Sequence, residues 1–256
     1  MANPMQGRFT WHELMTTDMK AAVKFYTSLF GWTSEEMDMG PGGKYTLLKQ
    51  GDKQVAGAMA AQQPGVPSSW LTYVGVDDVD AAAKQIAELG GKTLVPPTEV
   101  PNIVRFSVAQ DPQGAVFGVL KGVGPSANAP PPDDAPLPGN FCWDELHTSD
   151  KQAASKFYGK LFGWTGKVGD KDPMEYWHWM HSGKDIGGMM KLQMPNVPPH
   201  WLAYLAVANV DTSATRAREL GAKVLVEAME VPGTGRFVVL QDPTGAAFAL
   251  FKSARM

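Results

Sequence analysis

The sequence predicts an α+β fold that is built twice in one chain. Two observations lead to this prediction. Long segments recur in the same order in both halves, and short runs of alternating apolar residues surround helical patterns within each half. A Pro-rich segment separates the two halves. At 256 residues the chain is long enough for two ordinary domains, each with its own core.

The internal repeat decides the domain organisation. The first matched pair of segments is identical at 15 of 24 positions, and the last pair at 11 of 20 positions. The pairs lie 132 or 131 residues apart, so one residue has been lost in the second copy. They are residues 9–32 with 141–164, 67–76 with 198–207, and 100–119 with 231–250. Such ordered matches indicate a duplication.

The segment between the copies is a predicted linker. Residues 122–139 are dense in proline, which disfavours both a helix and a central strand and favours a semi-extended chain. The expected domains are therefore a first module at residues 1–121 and a second module at residues 140–256.

The first half of each module begins with a strand and a helix. Phe9–Met15 alternates around apolar residues, which is typical of a strand. A helix is expected to begin after an N-cap at Asp18 and to end at Gly31. Tyr45–Leu48 and Val55–Ala60 flank a Gln-Gly-Asp turn and predict a hairpin.

The second half of each module repeats this plan. Leu71–Val76 is a predicted strand, Asp78–Leu89 an amphipathic helix that ends at two glycines, and Thr93–Val95 a short strand. Arg105–Ala109 and Ala115–Leu120 form a predicted hairpin around Asp-Pro-Gln-Gly, which suits a type I turn. The order is βαβββ-like, twice per copy.

The composition excludes several classes of partner. The formal charge is −3, from 23 basic and 26 acidic residues, and the sequence has no basic run of the kind that binds nucleic acid. No apolar run reaches the roughly 18–20 residues that span a bilayer. The N-terminal segment lacks the apolar core of a signal peptide, and Cys142 is the single cysteine. We therefore expect a cytoplasmic protein without a membrane or nucleic-acid partner.

Two sequence motifs of this chain resemble those of a known family. A strand, an Asp, and a helix ending Phe-Tyr…Leu-Phe-Gly-Trp occur at residues 9–32 and 141–164, and an Asp-Pro-x-Gly hairpin occurs at residues 111–114 and 242–245. Together they resemble the glyoxalase, bleomycin-resistance and extradiol-dioxygenase (vicinal oxygen chelate) superfamily. The resemblance implies paired βαβββ modules whose curved, mostly antiparallel sheets form U-shaped troughs, with helices outside and the ligand inside. The superfamily includes isomerases, lyases, dioxygenases and non-catalytic drug binders, so the fold does not fix the function.

The same resemblance implies where a divalent metal would be held. Family members take His, Glu or Gln ligands from the first strand, from the start of the middle strand and from the last strand of a module. The corresponding residues are Trp11, Ser69 and Gly118 in the first copy and Trp143, His200 and Ala249 in the second. His200 alone is of ligand type, and a catalytic site needs about three protein ligands. We therefore expect no metal and no other cofactor; a divalent metal held by substitute ligands is the alternative.

Two glutamates are the candidate catalytic residues. Glu13 and Glu145 lie two residues after Trp11 and Trp143, so strand alternation directs each glutamate to the same face as its tryptophan. A carboxylate in a partly apolar trough suits a general base. The alternative is a structural carboxylate bonded to backbone groups or to an arginine such as Arg105 or Arg236.

Aromatic residues provide the candidate ligand-binding surface. Planar or apolar ligands stack on aromatic side chains, although core packing accounts for at least half of the aromatic residues in this chain. The residues expected to contact a ligand are Trp11, Trp143, His200, Tyr45, Tyr176, Arg105 and Arg236.

Three functions remain open at this point. The first is a protein that binds a small organic molecule in an aromatic-lined trough without the usual metal. The second is a glyoxalase-type lyase or isomerase that acts on a small carbonyl compound with Glu13 or Glu145 as base. The third is a regulatory or partner-binding protein whose troughs are vestigial. Because one chain carries both modules, a monomer with an internal pseudo-dimer is possible, and so is a homodimer.

Overall fold

A computed structural model describes residues 4–39, 43–62, 65–123, 136–168, 175–194 and 196–254. Most of the predicted linker, residues 124–135, lies outside the described residues. Among the described helices, none is long and apolar enough to cross a membrane.

The first copy follows the predicted order, with one strand more than expected. Its elements are β1 (Phe9–Thr16), α1 (Met19–Phe30), β2 (Thr33–Asp38), β3 (Lys44–Gln50), β4 (Lys53–Ala60), β5 (Ser69–Gly75), α2 (Val79–Glu88), β6 (Lys92–Val100), β7 (Val104–Gln110) and β8 (Val116–Gly122).

The second copy repeats these elements in the same order. They are β9 (Phe141–Thr148), α3 (Lys151–Phe162), β10 (Thr165–Val168), β11 (Trp177–His181), β12 (Lys184–Lys191), β13 (His200–Ala206), α4 (Val210–Glu219), β14 (Lys223–Val231), β15 (Gly235–Gln241) and β16 (Ala247–Ser253).

The predicted helix boundaries are confirmed by their caps. Asp18 Oδ1 accepts a hydrogen bond from the Ala21 amide at 2.9 Å, which satisfies one of the free N–H groups of the first turn of α1. Gly31 ends α1 with φ 70°, a left-handed conformation that glycine adopts without steric cost. Asp150 and Gly163 cap α3 in the same way.

Two features of the strands differ from the prediction. The sequence analysis did not predict β2, and the structure extends β6 well beyond the expected Thr93–Val95. Most residues of both strands are exposed, so they lack the apolar alternation that marks a half-buried strand. Both lie at the edge of a sheet, where one face and one side of the backbone need no partner.

The strands form two eight-stranded, curled, mixed sheets. The strand orders are β2-β3-β4-β1-β5-β8-β7-β6 and β10-β11-β12-β9-β13-β16-β15-β14. The pairs β1–β4, β5–β8, β9–β12 and β13–β16 are parallel, whereas the hairpin pairs are antiparallel. This arrangement confirms the predicted α+β class with curved, mostly antiparallel sheets.

The chain divides into two compact units, and neither is a single copy of the repeat. One unit contains Met1–Thr10, Thr72–Asp133 and Trp143–Trp201; the other contains Trp11–Leu71, Asp134–Cys142 and Leu202–Met256. Each unit has its own apolar core, and each core takes residues from both copies. Half of each copy therefore folds with half of the other.

A buried hydrogen-bond chain joins the two copies inside each unit. In the first unit, Trp201 Nε1 donates to Tyr158 Oη at 3.1 Å, and Tyr158 Oη donates to Asp111 Oδ2 at 2.9 Å. Asp111 Oδ1 accepts the amides of residues 113, 114 and 115 in the Asp-Pro-Gln-Gly turn. Burial raises the pKa of Asp111 above its ordinary value. Trp70, Tyr26 and Asp242 form the same chain in the other unit.

Candidate functional site

The candidate site is a cluster of polar and aromatic side chains on β9 and its neighbours within one compact unit. Trp143, Glu145 and His147 occupy alternate positions of β9, so the pleat of the strand directs all three to one face. β12 lies beside this strand, with Gly188 paired to Glu145 and Met190 paired to His147. The strand pattern therefore arranges an indole, a carboxylate and an imidazole in a row.

A chain of hydrogen bonds connects the aromatic residues to the carboxylate. Trp143 Nε1 donates to Tyr176 Oη at 2.9 Å, and Tyr176 Oη donates to Glu145 Oε2 at 2.7 Å. A Cβ at Gly188 would overlap Tyr176 Oη and would lie 2.9 Å from Trp143 Nε1. The observed position of the Tyr176 phenol therefore requires a glycine at residue 188 of β12.

The carboxylate also connects to two histidines. His147 Nε2 lies 2.7 Å from Glu145 Oε1, and the His147 ring stacks on that of His200 with centroids 4.7 Å apart and planes 17° apart. His200 Nδ1 donates to the Pro198 carbonyl at 2.9 Å. Burial lowers the pKa of His200, and the neighbouring His147 lowers it further. Glu145 itself is only 5% exposed, so hydrogen bonds with these partners replace those that its oxygens would make with water.

The first copy has the aromatic part of this arrangement but not the histidines. Trp11 Nε1 donates to Tyr45 Oη at 3.0 Å, and the Tyr45 hydroxyl is hydrogen-bonded to Glu13. Burial raises the pKa of Tyr45 strongly, and the charge of Glu13 adds to the effect. A Cβ at Gly57 would overlap Tyr45 Oη, as at Gly188.

Within the two clusters, the copies differ at the imidazole positions. Met15 stands where the second copy has His147, and Ser69 stands where it has His200. Neither residue provides an imidazole beside Glu13, so the glutamate of the second copy has imidazole neighbours that Glu13 lacks.

The structure does not bring the two predicted arginines to these clusters. Arg105 forms two hydrogen bonds with Asp80 at 2.7 and 2.8 Å, and Arg236 forms the same fork with Asp211. Each aspartate lies in the first turn of a helix, where a negative charge is favourable. The alternative in which an arginine such as Arg105 or Arg236 pairs with the glutamates is thus not the arrangement seen for these two side chains. Tyr45 is hydrogen-bonded to Glu13, and Tyr176 and His147 are hydrogen-bonded to Glu145.

Two members of the second cluster, His147 and His178, are not among the predicted site residues. The position of His147, two residues after Glu145, predicts that it shares the same face. His178 lies edge-on to Trp143 and Tyr176, with ring centroids 6.1 and 5.3 Å away. No local sequence signal identifies His178. It lies on β11, and the pairing of strands in the sheet, not spacing along the chain, places β11 near this face.

The residues at the family's metal-binding positions do not fit a metal ion. The side chains of Trp11 and Trp143 have only an N–H donor, and a tyrosine hydroxyl accepts the hydrogen bond from each. A Cβ at Gly118 would overlap the ring of Tyr73, which leaves no room for a longer side chain. Within the described residues, no group of three or more His, Cys, Asp or Glu side chains is arranged to hold a metal. The Glu145–His147–His200 cluster does not meet this requirement, because its two imidazoles are stacked and Glu145 is hydrogen-bonded to one of them.

The fold and this cluster define a class: α+β proteins with two tandem modules, curled sheets, and a polar and aromatic face on the first strand of each copy. Residues 8–119 match the sequence model of the Glyoxalase/Bleomycin resistance protein/Dioxygenase superfamily, and residues 140–251 match that of the Glyoxalase-like domain. The chain belongs to the glyoxalase/bleomycin resistance protein/dioxygenase superfamily.

Two relatives align with nearly the whole chain. CFP32 of Mycobacterium bovis, provisionally named a glyoxylase, is 36% identical over 255 residues that cover 97% of this chain and 96% of that protein. The anthracycline biosynthesis protein DnrV of Streptomyces peucetius is 34% identical over 265 residues, which cover 95% and 92%.

Solved structures share the fold at low sequence identity. The Mn(II)-bound glyoxalase from Novosphingobium aromaticivorans has a TM-score of 0.66 at 17% identity, with coverage of 96% of this chain and 82% of that one. The 2,3-dioxygenase LapB from Pseudomonas sp. KL28 has a TM-score of 0.64 at 15% identity, with coverage of 98% and 93%.

Proposed function

We propose that this protein binds a small, planar organic molecule on the face of β9, without a metal ion at the family's usual positions. The observation that carries the proposal is the hydrogen-bonded chain from Trp143 through Tyr176 to Glu145 and His147. Ligand sites combine apolar and aromatic walls with a few fixed polar groups that orient the ligand. This face provides both, because Trp143, Tyr176 and His178 surround a carboxylate and an imidazole whose positions are set by hydrogen bonds.

The relatives support a planar ligand. DnrV and the homologous DauV of a Streptomyces strain are both named for anthracycline biosynthesis. An anthracycline contains fused flat rings, which stack favourably on indole and imidazole faces. We therefore take a fused aromatic ring system as the chemical class of the ligand.

Calorimetric titration of the whole chain with 2-methoxynaphthalene tests this function. We expect saturable binding that Trp143→Ala weakens about tenfold, which is the effect of losing one well-placed aromatic contact. Trp11→Ala, at the equivalent position of the first copy, is the matched control and is expected to change the affinity less. Absence of saturable binding, or equal effects of the two substitutions, would contradict a site at β9.

A second candidate function is glyoxalase-type proton transfer, and the hydrogen bond between Glu145 and His147 favours it. A carboxylate bonded to an imidazole is a common arrangement for general acid–base catalysis. Such an enzyme would remove a proton next to a carbonyl group and stabilise the resulting enolate. Tyr176 and His147 are polar groups that contact this carboxylate directly.

The adduct of methylglyoxal with a thiol is the probe for this second function. If the second copy is catalytic, Glu145→Gln lowers turnover by at least a hundredfold, within the usual contribution of general acid–base catalysis, and Glu13→Gln has a smaller effect. Turnover that neither substitution changes would exclude both glutamates as the base.

A further inference from the structure

The hydrogen bonds of the two stacked histidines fix which ring nitrogen carries the proton. The Pro198 carbonyl can only accept, so His200 Nδ1 must be the donor. The Glu145 carboxylate accepts the Tyr176 hydroxyl at Oε2, and a carboxylate oxygen accepts in the same way at Oε1, so His147 Nε2 is the donor there. In the neutral form of each ring, the other nitrogen, His200 Nε2 or His147 Nδ1, is then a hydrogen-bond acceptor.

These two acceptor nitrogens are not used inside the described part of the chain. His147 forms its hydrogen bond through Nε2 and His200 through Nδ1, and neither ring forms another among the described residues. Both rings are partly exposed, so a ligand can reach them. A buried or half-buried acceptor is most stable when a donor satisfies it. These two nitrogens thus lack a hydrogen-bond donor among the described residues, and a ligand can provide one.

We propose that the second copy recognises a hydroxyl group on an aromatic ring, a phenol or an enol, which donates its hydrogen bond to the His147–His200 pair. This proposal rests on the proposed function and names the chemical group that the site selects. Glu145 has a positioning role here, because it holds His147 in the tautomer that accepts. The first copy does not select a hydroxyl, since Met15 and Ser69 stand at the two positions.

The chain provides its own matched variants for a test. His147→Met with His200→Ser gives the second copy the residues that the first copy already has at these positions. Met15→Leu with Ser69→Ala changes the first copy at the same positions without introducing or removing an imidazole. Calorimetric titrations of the whole chain compare 2-naphthol with 2-methoxynaphthalene at neutral pH. The two probes share the naphthalene ring, and the substituent oxygen carries a proton in the first and a methyl group in the second.

We expect the unchanged protein to bind 2-naphthol about tenfold more tightly than its methyl ether, the effect of one hydrogen bond to an otherwise unsatisfied acceptor. The His147→Met/His200→Ser variant should lose this preference and bind the two probes with equal affinity, and circular dichroism with thermal unfolding shows that it is folded. The first-copy variant should keep the preference.

The outcomes separate this inference from the proposed function. Equal affinity of the unchanged protein for both probes, or a preference that survives in the double variant, overturns the inference and leaves aromatic binding intact. If neither probe binds to the unchanged protein, the proposed function fails and the inference fails with it.

Discussion

At the scale of single residues, two glycines determine the geometry of the site, because neither has a side chain. Gly188 and Gly57 stand at equivalent positions of the two copies, and a Cβ at either one would overlap a tyrosine hydroxyl. Both tyrosines accept a hydrogen bond from a tryptophan on the first strand of their copy. Tryptophan, tyrosine, glutamate and glycine occur together in both copies, and the hydrogen-bonded chain depends on all four.

Gly188→Ala is predicted to destabilise the protein by about 1–3 kcal/mol, the usual cost of forcing an extra methyl group into a packed site. The methyl group would displace Tyr176 and break its hydrogen bonds with Trp143 and Glu145. Urea denaturation measures the change in the free energy of unfolding. In a Tyr176→Ala background the same substitution should cost much less. An equal cost in both backgrounds would mean that the clash with Tyr176 is not the cause.

His200 is predicted to make stability depend on pH below neutrality. Its pKa in the folded protein lies below the ordinary value of 6.5, since burial disfavours the charged ring. The unfolded chain therefore binds more protons, and stability falls as the pH drops from 6.5 towards the folded pKa. Free energies of unfolding measured across this range should fall less steeply in His200→Ser. A variant with an unchanged slope would show that another group is responsible.

At the scale of the elements, local sequence signals predicted most of the fold. Caps at Asp18 and Gly31, and the turn at residues 111–114, act within a few residues, so the helix and hairpin boundaries could be read directly. The exposed strand β2 carried no such signal, because its hydrogen bonds with β3 and not burial make it a strand. Edge strands of this kind are fixed by their neighbours.

The candidate site was less accessible to sequence reasoning than the fold. Strand alternation placed Trp143 and Glu145 on one face, and the same rule applied two residues further would have included His147. The partners of these residues are Tyr176, just before β11, and His200 on β13, more than 30 residues away in sequence. Sequence periodicity does not specify such pairs, so Arg105 and Arg236 could not be distinguished from the true neighbours of the glutamates.

Tyr158→Phe is predicted to destabilise the protein by about 1–3 kcal/mol, because it removes a buried hydroxyl that bonds to both Asp111 and Trp201. Asp111 Oδ2 and Trp201 Nε1 would each lose this partner in the core. Thermal unfolding followed by circular dichroism measures the loss. Tyr26→Phe is the matched control in the other unit, where Asp242 and Trp70 have the same roles, and it should cost a similar amount. A neutral result at Tyr158 would mean that water replaces the hydroxyl.

At the scale of the whole molecule, the two copies share the features that stabilise the fold but differ in the polar groups of the candidate site. Both have the same caps on the first helix, the same Asp-Pro-x-Gly turn and the same Trp–Tyr–Asp hydrogen-bond chain. The chemical groups are unequal, because two histidines of the second copy are replaced by Met15 and Ser69 in the first. Selection for a stable fold acts on both copies, whereas selection for a ligand can act on one.

An isolated copy is predicted not to fold as a monomer. Each apolar core takes side chains from both copies: Phe117 packs with Phe157 and Tyr158 in one unit, and Phe25 with Phe248 in the other. A fragment of residues 1–121 or 140–256 would carry half of each core, and its exposed apolar surface would make it unfold or self-associate. Size-exclusion chromatography with light scattering, together with circular dichroism, tests each fragment alone and both expressed together. Because each copy retains the elements of both half-cores, a folded homodimer is compatible with this prediction, and coexpression should give a one-to-one pair. A folded monomeric fragment with a cooperative thermal transition would contradict it, since such a fragment would have to complete its core from one copy alone.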